Sequence, residues 1–166
     1  MHISVINIVS SFVIALVLHE LGHFVAARVC GVKVIEAGLG WGPKLFSAHI
    51  LGVDYHFRLL PIGAYVRMDM AALQRCPLVV QLFVLLAGIA MNLILGVVAW
   101  GSFFGTLNLV LAAANLFPLY QQDGWKSGML IFRRVFRRPS PLVEWSFTLS
   151  AGLMGLVVVA RVIFTF

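Results

Sequence analysis

Apolar residues arrive in long blocks in this chain. Residues 3–18 are almost wholly apolar, interrupted by Ser4, Asn7, Ser10 and Ser11. A second block fills residues 77–100, and a shorter third, residues 103–119, contains Asn108, Asn115 and Pro118. A fourth covers residues 142–166. A helix of roughly 20 apolar residues crosses the hydrocarbon layer of a bilayer. The blocks therefore predict about four transmembrane helices, over residues 3–29, 77–100, 103–119 and 142–166. Between the first two the pattern changes. Residues 32–68 carry Gly38, Gly40, Gly42, Pro43, Gly52 and Pro61 between short runs. Residues 55–59 and 64–68 alternate with period two, as half-buried strands do. The expected fold is an all-α polytopic membrane protein, one domain over residues 1–166, with a small membrane-associated β-hairpin or sheet between helices one and two.

Composition agrees. Hydrophobic residues make up 61% of the 166 and charged residues 11%, against roughly 25% charged in a soluble domain. The formal charge of +6 raises a nucleic-acid partner, but the distribution argues against one. Arg28, Lys33, Lys44, Arg58, Arg67 and Arg75 lie between blocks one and two, and Lys126, Arg133, Arg134, Arg137 and Arg138 between three and four. Only the uncharged Gly101-Ser102 joins two and three. Basic loops stay in the cytoplasm, so both basic loops are expected there and both termini outside. The first block has no basic leader and ends in His19-Glu20, which reads as a retained helix rather than a cleaved signal. Cys30 and Cys76 form no framework. Residues 125–136 mix Met129, Ile131, Phe132 and Val135 with Arg133 and Arg134, as either an interfacial helix or a basic loop.

The costly residues mark the chemistry. His19-Glu20-Leu21-Gly22-His23 is an H-E-x-x-H motif inside the first apolar block, where ionisable groups are expensive and point to function. Residues four apart share a helix face, so His19 and His23 can hold one metal ion, with Glu20 beside them as general base. A catalytic zinc site uses three protein ligands and a water. The remaining candidates are Glu36, Asp54, Asp69, Asp123 and Glu144, with His2, His49 and His56. Asp123 is favoured because it follows the third block on the side where the histidines lie, between Pro118 and Gly124. Zn²⁺, Asp123 and Glu20 also sum to zero charge, which lessens the penalty for uncompensated buried ions. Gly88, Asn92 and Gly96 share a face of the second helix, which allows close helix approach and turns Asn92 into the bundle. Asn92 and Asn115 read either as packing amides or as catalytic groups that hold substrate or an oxyanion.

These motifs together resemble the site-2 protease family of intramembrane zinc metalloproteases, in a compact form without PDZ or CBS domains. The resemblance rests on His19 to His23, Gly40-Trp41-Gly42-Pro43-Lys44-Leu45, residues 60–68, residues 88–92, and Asn115-Leu116-Phe117-Pro118 leading to Asp123-Gly124. It implies one catalytic zinc on His19, His23 and Asp123, and Glu20 as base. It also implies a hairpin that receives substrate, helped by Asn92 and Asn115. The partners it implies are the lipid bilayer and a transmembrane protein substrate, with prior cleavage by another protease left open, in regulated intramembrane proteolysis. Gln122 before Asp123 and Ala64 after Gly63 depart from the family pattern. A membrane metal-ion transporter or an inactive scaffold of the same fold are the competing classes.

Overall fold

A computed structural model describes residues 4–117 and 122–135, with short pieces between 141 and 153. The chain divides into two units, Met1–Ala112 and Ala113–Phe166.

In the first unit, helix α1 (Val5–Val29) starts where Ser4 caps it, its hydroxyl accepting from the Asn7 amide at 3.3 Å. Its end is closed by two reversed bonds: Gly31 N–H to Arg28 carbonyl at 3.1 Å and Val32 N–H to Ala27 carbonyl at 2.8 Å. That is a Schellman closure, and Gly31, at φ +72°, supplies the left-handed residue it needs. Ala15, His19, Gly22, His23, Ala26 and Ala27 form the buried stripe of α1. The other faces expose Val5, Ile6, Ile14, Val17 and Val25. Apolar residues on every side fit a helix surrounded by lipid.

Helix α2 (Met70–Arg75) is capped by Asp69, whose carboxylate accepts from the Ala72 amide at 3.0 Å. Helix α3 (Leu78–Val98) follows Pro77 and buries Gln81, Leu85, Gly88, Ile89, Asn92 and Gly96 along one stripe. The α1 and α3 backbones approach closely at Gly22, where a Cβ would meet the Ala87 carbonyl oxygen at 2.6 Å. Helix α4 (Phe103–Leu116) begins after a tight turn at Gly101, φ +80°.

Two strands lie between α1 and α2: β1 (Val34–Ile50) and β2 (Val53–Met68). Leu51 and Gly52 both have positive φ, 51° and 77°, and close a two-residue hairpin turn. Beyond it the ladder runs antiparallel from Ile50↔Val53 to Lys44↔Arg58. β1 then bends through Gly40 and Gly42, at φ +94° and +93°, and β2 through Gly63 at +93°. Past the bends, Ala37↔Val66, Gly38↔Tyr65 and Leu39↔Ala64 continue the antiparallel register. The same β1 residues also oppose β2 as Ala37↔Tyr55, Gly38↔His56 and Leu39↔Phe57. There both numbers ascend, the sense of a parallel pairing. The folded-back ribbon thus puts residues 36–39 in the middle and 64–68 at an edge. Val32, Val34, Val53, Leu73 and Val84 form a core with Ala26 and Ala27 where the ribbon, α1, α2 and α3 meet. Each fully buried valine or leucine there is worth about 1.5–3 kcal/mol.

The second unit begins with the end of α4 and includes α5 (Asp123–Val135), which has Arg133 and Arg134 in its last turn.

The expected helices with a small sheet between the first two are present, residues 34–50 and 53–68 being its strands. The expected β region, 32–68, matches closely. Among the described residues two helices are long and apolar enough to cross a membrane, α1 and α3. The third expected span is a helix of 14 residues, ending at Leu116. The break expected at Pro118 and most of the expected fourth span, residues 142–166, lie outside the described residues.

Candidate metal centre

The 3.6-residue turn of α1 carries His19 and His23 to the same face, both buried. Their Nε2 atoms are 3.3 Å apart, and the rings meet edge to face with centroids at 4.9 Å. α3 supplies what surrounds them. The Nδ1 of His23 lies 2.8 Å from the Val84 carbonyl oxygen. A carbonyl only accepts, so this Nδ1 carries the proton and Nε2 is the acceptor nitrogen of a neutral ring. The Nδ1 of His19 lies 3.1 Å from Nδ2 of Asn92. Between these two contacts stands Gly88. A Cβ built on it would lie 2.4 Å from Nε2 of His23 and 2.6 Å from Nε2 of His19. The missing side chain lets both rings lie against the α3 backbone. Two imidazole nitrogens 3.3 Å apart on one helix face suit zinc, which imidazole binds well.

Glu20, the next residue, lines a cavity of about 260 Å³ between α1 and the ribbon. Its other walls include Val17, Phe24, Leu39, Tyr55 and Val66. The strand segments around 37–39, 55–57 and 64–66 all contribute, so one face of the ribbon looks onto the motif helix.

Outside the helices, Glu36 anchors a polar cluster. Tyr65 donates its hydroxyl to Glu36 Oε1 at 2.5 Å, Arg67 Nη1 lies 3.4 Å from Oε2, and His56 Nε2 is 3.3 Å from Oε1. The Tyr65 hydrogen bond, helped by the charges of Arg67, His56 and Lys44, holds the Glu36 carboxyl below its usual range. Burial, then the bond to Glu36, pushes the Tyr65 phenol up. At the exposed hairpin tip His49 pairs with Asp54 at 2.6 Å, which lowers the Asp54 carboxyl.

In the second unit Asp123 opens α5, and its Oδ1 is 3.2 Å from Lys126 Nζ. A Cβ on Gly124 would meet the Leu116 carbonyl oxygen at 2.0 Å and that of Asn115 at 2.9 Å. Only glycine lets α5 start against the end of α4, and this fixes Asp123 relative to Asn115.

Of the residues expected from sequence, His19, His23 and Asn92 come together in the first unit, with Glu20 adjoining on α1. Asn115 and Asp123 belong to the second unit. The amide of Asn92 addresses an imidazole, a contact the sequence reading did not foresee. The Val84 carbonyl was also missed, whereas Gly88 was expected as a close-approach glycine and stands as one against the histidines of α1. The one signal for Val84 was its place four residues before Gly88 on the same face. The Glu36–Tyr65 pair, 29 residues apart, had no local signal.

The sequence profile of peptidase family M50 matches residues 7–105. A provisionally named zinc metalloprotease of Clostridium perfringens is 33% identical over 96 residues, covering 53% of this chain and 29% of that protein. One of Clostridium acetobutylicum, with the same provisional name, is 37% identical over 103 residues, covering 57% of this chain and 30% of its own. A third, of Helicobacter pylori, is 45% identical over 51 residues, which are 31% of this chain and 15% of that protein. The chain spans less than a third of the length of these relatives.

Proposed function

This chain belongs to peptidase family M50, and from that premise we propose that it is an intramembrane zinc endopeptidase. Its substrates are membrane proteins cut in or near a transmembrane segment, in regulated intramembrane proteolysis. The observation that carries the reading is the pair of Nε2 atoms 3.3 Å apart, on a helix long and apolar enough to cross a bilayer.

His19, His23 and Asp123 would hold the zinc. Bound there, the ion would supply Lewis acidity toward the scissile carbonyl and a water. Glu20 takes the proton of the attacking water and returns it to the leaving nitrogen, a role worth about 10²–10⁴ in rate. Asn115 steadies the substrate or its oxyanion, and the nitrogen end of Asn92 can share that work. A transmembrane helix has every backbone group satisfied and must unwind before it can be cut. The edge strand at 64–68 offers replacement hydrogen bonds to the unwound segment. The basic residues between the apolar blocks support a reading in which this chemistry faces the cytoplasm.

The test is cleavage of a reconstituted transmembrane substrate together with zinc analysis. Wild type should cleave and hold one zinc. Glu20→Gln should keep zinc and lose cleavage; Asp123→Ala should lose both. A Glu20→Gln protein as active as wild type would overturn the reading.

A further inference from the structure

Val84, Gly88 and Asn92 are spaced by four along the buried stripe of α3, and each addresses the histidine pair differently. The Val84 carbonyl fixes the proton of His23 on Nδ1. Gly88 lets both rings approach the α3 backbone. Asn92 touches His19 at Nδ1, the ring nitrogen other than the one that faces His23.

The two ends of a carboxamide have nearly the same shape and opposite hydrogen-bonding character. With Nδ2 facing the ring, Asn92 donates to His19 Nδ1, and the His19 proton sits on Nε2. It then points at Nε2 of His23, 3.3 Å away, and the pair closes on itself as donor and acceptor. In this arrangement Asn92 Oδ1 is buried and has no hydrogen-bond partner among the described residues. Asn92 itself is wholly buried. A half-turn of the amide exchanges its ends. Oδ1 then accepts from a His19 Nδ1 proton, and Nε2 of His19 offers a lone pair beside that of His23.

We propose that Asn92 is a positioning residue that sets the His19 tautomer, admitting a metal ion when its oxygen faces the ring and closing the histidine pair when its nitrogen does. The inference rests on the zinc reading above and adds to it a two-position amide coupled to metal loading. Partners of this kind, which orient a ligating imidazole through its other nitrogen, typically change metal affinity about 10–100-fold when removed.

The experiment uses the full chain in detergent micelles, with zinc affinity measured by competition against a chelator. Asn92→Leu should bind zinc about 10–100-fold more weakly than wild type. Asn92→Asp, which can only accept, should bind at least as tightly as wild type. Histidine ¹⁵N spectra of zinc-loaded wild type should show the His19 proton on Nδ1. Thermal unfolding reports whether Asn92→Leu folds; if it does not, the aspartate variant and the spectra decide. Equal affinity of folded Asn92→Leu and wild type would overturn the inference. So would an aspartate variant as weak as the leucine one, or a loaded His19 protonated on Nε2. A wild-type chain that binds no zinc would instead overturn the functional reading itself, and this inference with it.

Discussion

Gly88 stands so close to His23 that a single added methyl would lie 2.4 Å from its Nε2. That is shorter than any carbon–nitrogen contact, and the nearest atoms of His19 are at 2.6 Å. Neither ring can retreat without giving up its contact with Val84 or Asn92. Gly88→Ala is therefore expected to abolish zinc binding, and cleavage with it. Helix propensity pulls the other way, since alanine is favoured over glycine by about 1 kcal/mol in a helix interior. Zinc analysis beside a thermal melt separates the effects: zinc should be lost without a matching loss of helix. A variant that retains stoichiometric zinc would show that the rings can shift away from α3 without losing the metal.

Tyr65→Phe should loosen the ribbon in a pH-dependent way. The bond from Tyr65 to the ionised Glu36 is charge-assisted and mostly sheltered. Such bonds contribute about 1.5–3 kcal/mol, with the lower figure expected for a pair that retains some solvent contact. Glu36 titrates below its reference of 4.5 when folded. Its contribution is present above that value and is lost as pH falls through the folded pKa. Tyr65 titrates above its reference of 10.0. Its contribution is present below that value and is lost as pH rises through the folded pKa. Unfolding of wild type and Tyr65→Phe should differ most between these two reference values and converge at the acid end. A difference that stays constant down to the lowest pH tolerated would mean the pair does not titrate as argued.

Local pattern reached the helices and the motif, and stopped where distant segments must meet. The helices expected over 3–29 and 77–100 are Val5–Val29 and Leu78–Val98, because long apolar runs declare themselves residue by residue. His19 and His23 were legible for the same reason: four-residue spacing fixes a shared face. The ribbon was legible as a β region but not in its path. Alternation marked strands near 55–59 and 64–68, yet the double pairing of residues 36–39 depends on bends at Gly40, Gly42 and Gly63 that no period encodes. The second role of Gly88 needed the facing register of α1 and α3. Asn92 could be placed inside the bundle, but not against a particular nitrogen.

Leu51 offers a gain in stability. It occupies the first position of the hairpin turn at φ 51° and is 84% exposed. A left-handed conformation costs a side chain such as leucine about 1–2 kcal/mol, a cost that asparagine largely avoids. Asn-Gly is also the preferred pair for a turn with two positive φ values. Leu51→Asn should raise the melting temperature of the ribbon in detergent, with zinc content unchanged. No gain, or a loss, would indicate that Leu51 is held by something the turn geometry leaves out, such as lipid around the exposed tip.

The edge at residues 64–68 can be tested with proline, which removes a backbone N–H without adding charge. Successive N–H groups along a strand point to opposite edges, so of Val66 and Arg67 one directs its N–H toward residues 36–39 and the other away from them. Val66→Pro and Arg67→Pro should therefore behave unlike each other. One breaks a ladder bond and lowers the melting temperature. The other leaves the fold and the zinc intact and slows cleavage of an intact transmembrane substrate. The slowing should be smaller for a substrate already unwound by helix-breaking residues at its cut site, since it gives up fewer helical bonds on binding. If the proline variant that keeps its stability also cleaves the intact substrate at the wild-type rate, the substrate does not add to this edge. Its unwound backbone must then be satisfied elsewhere.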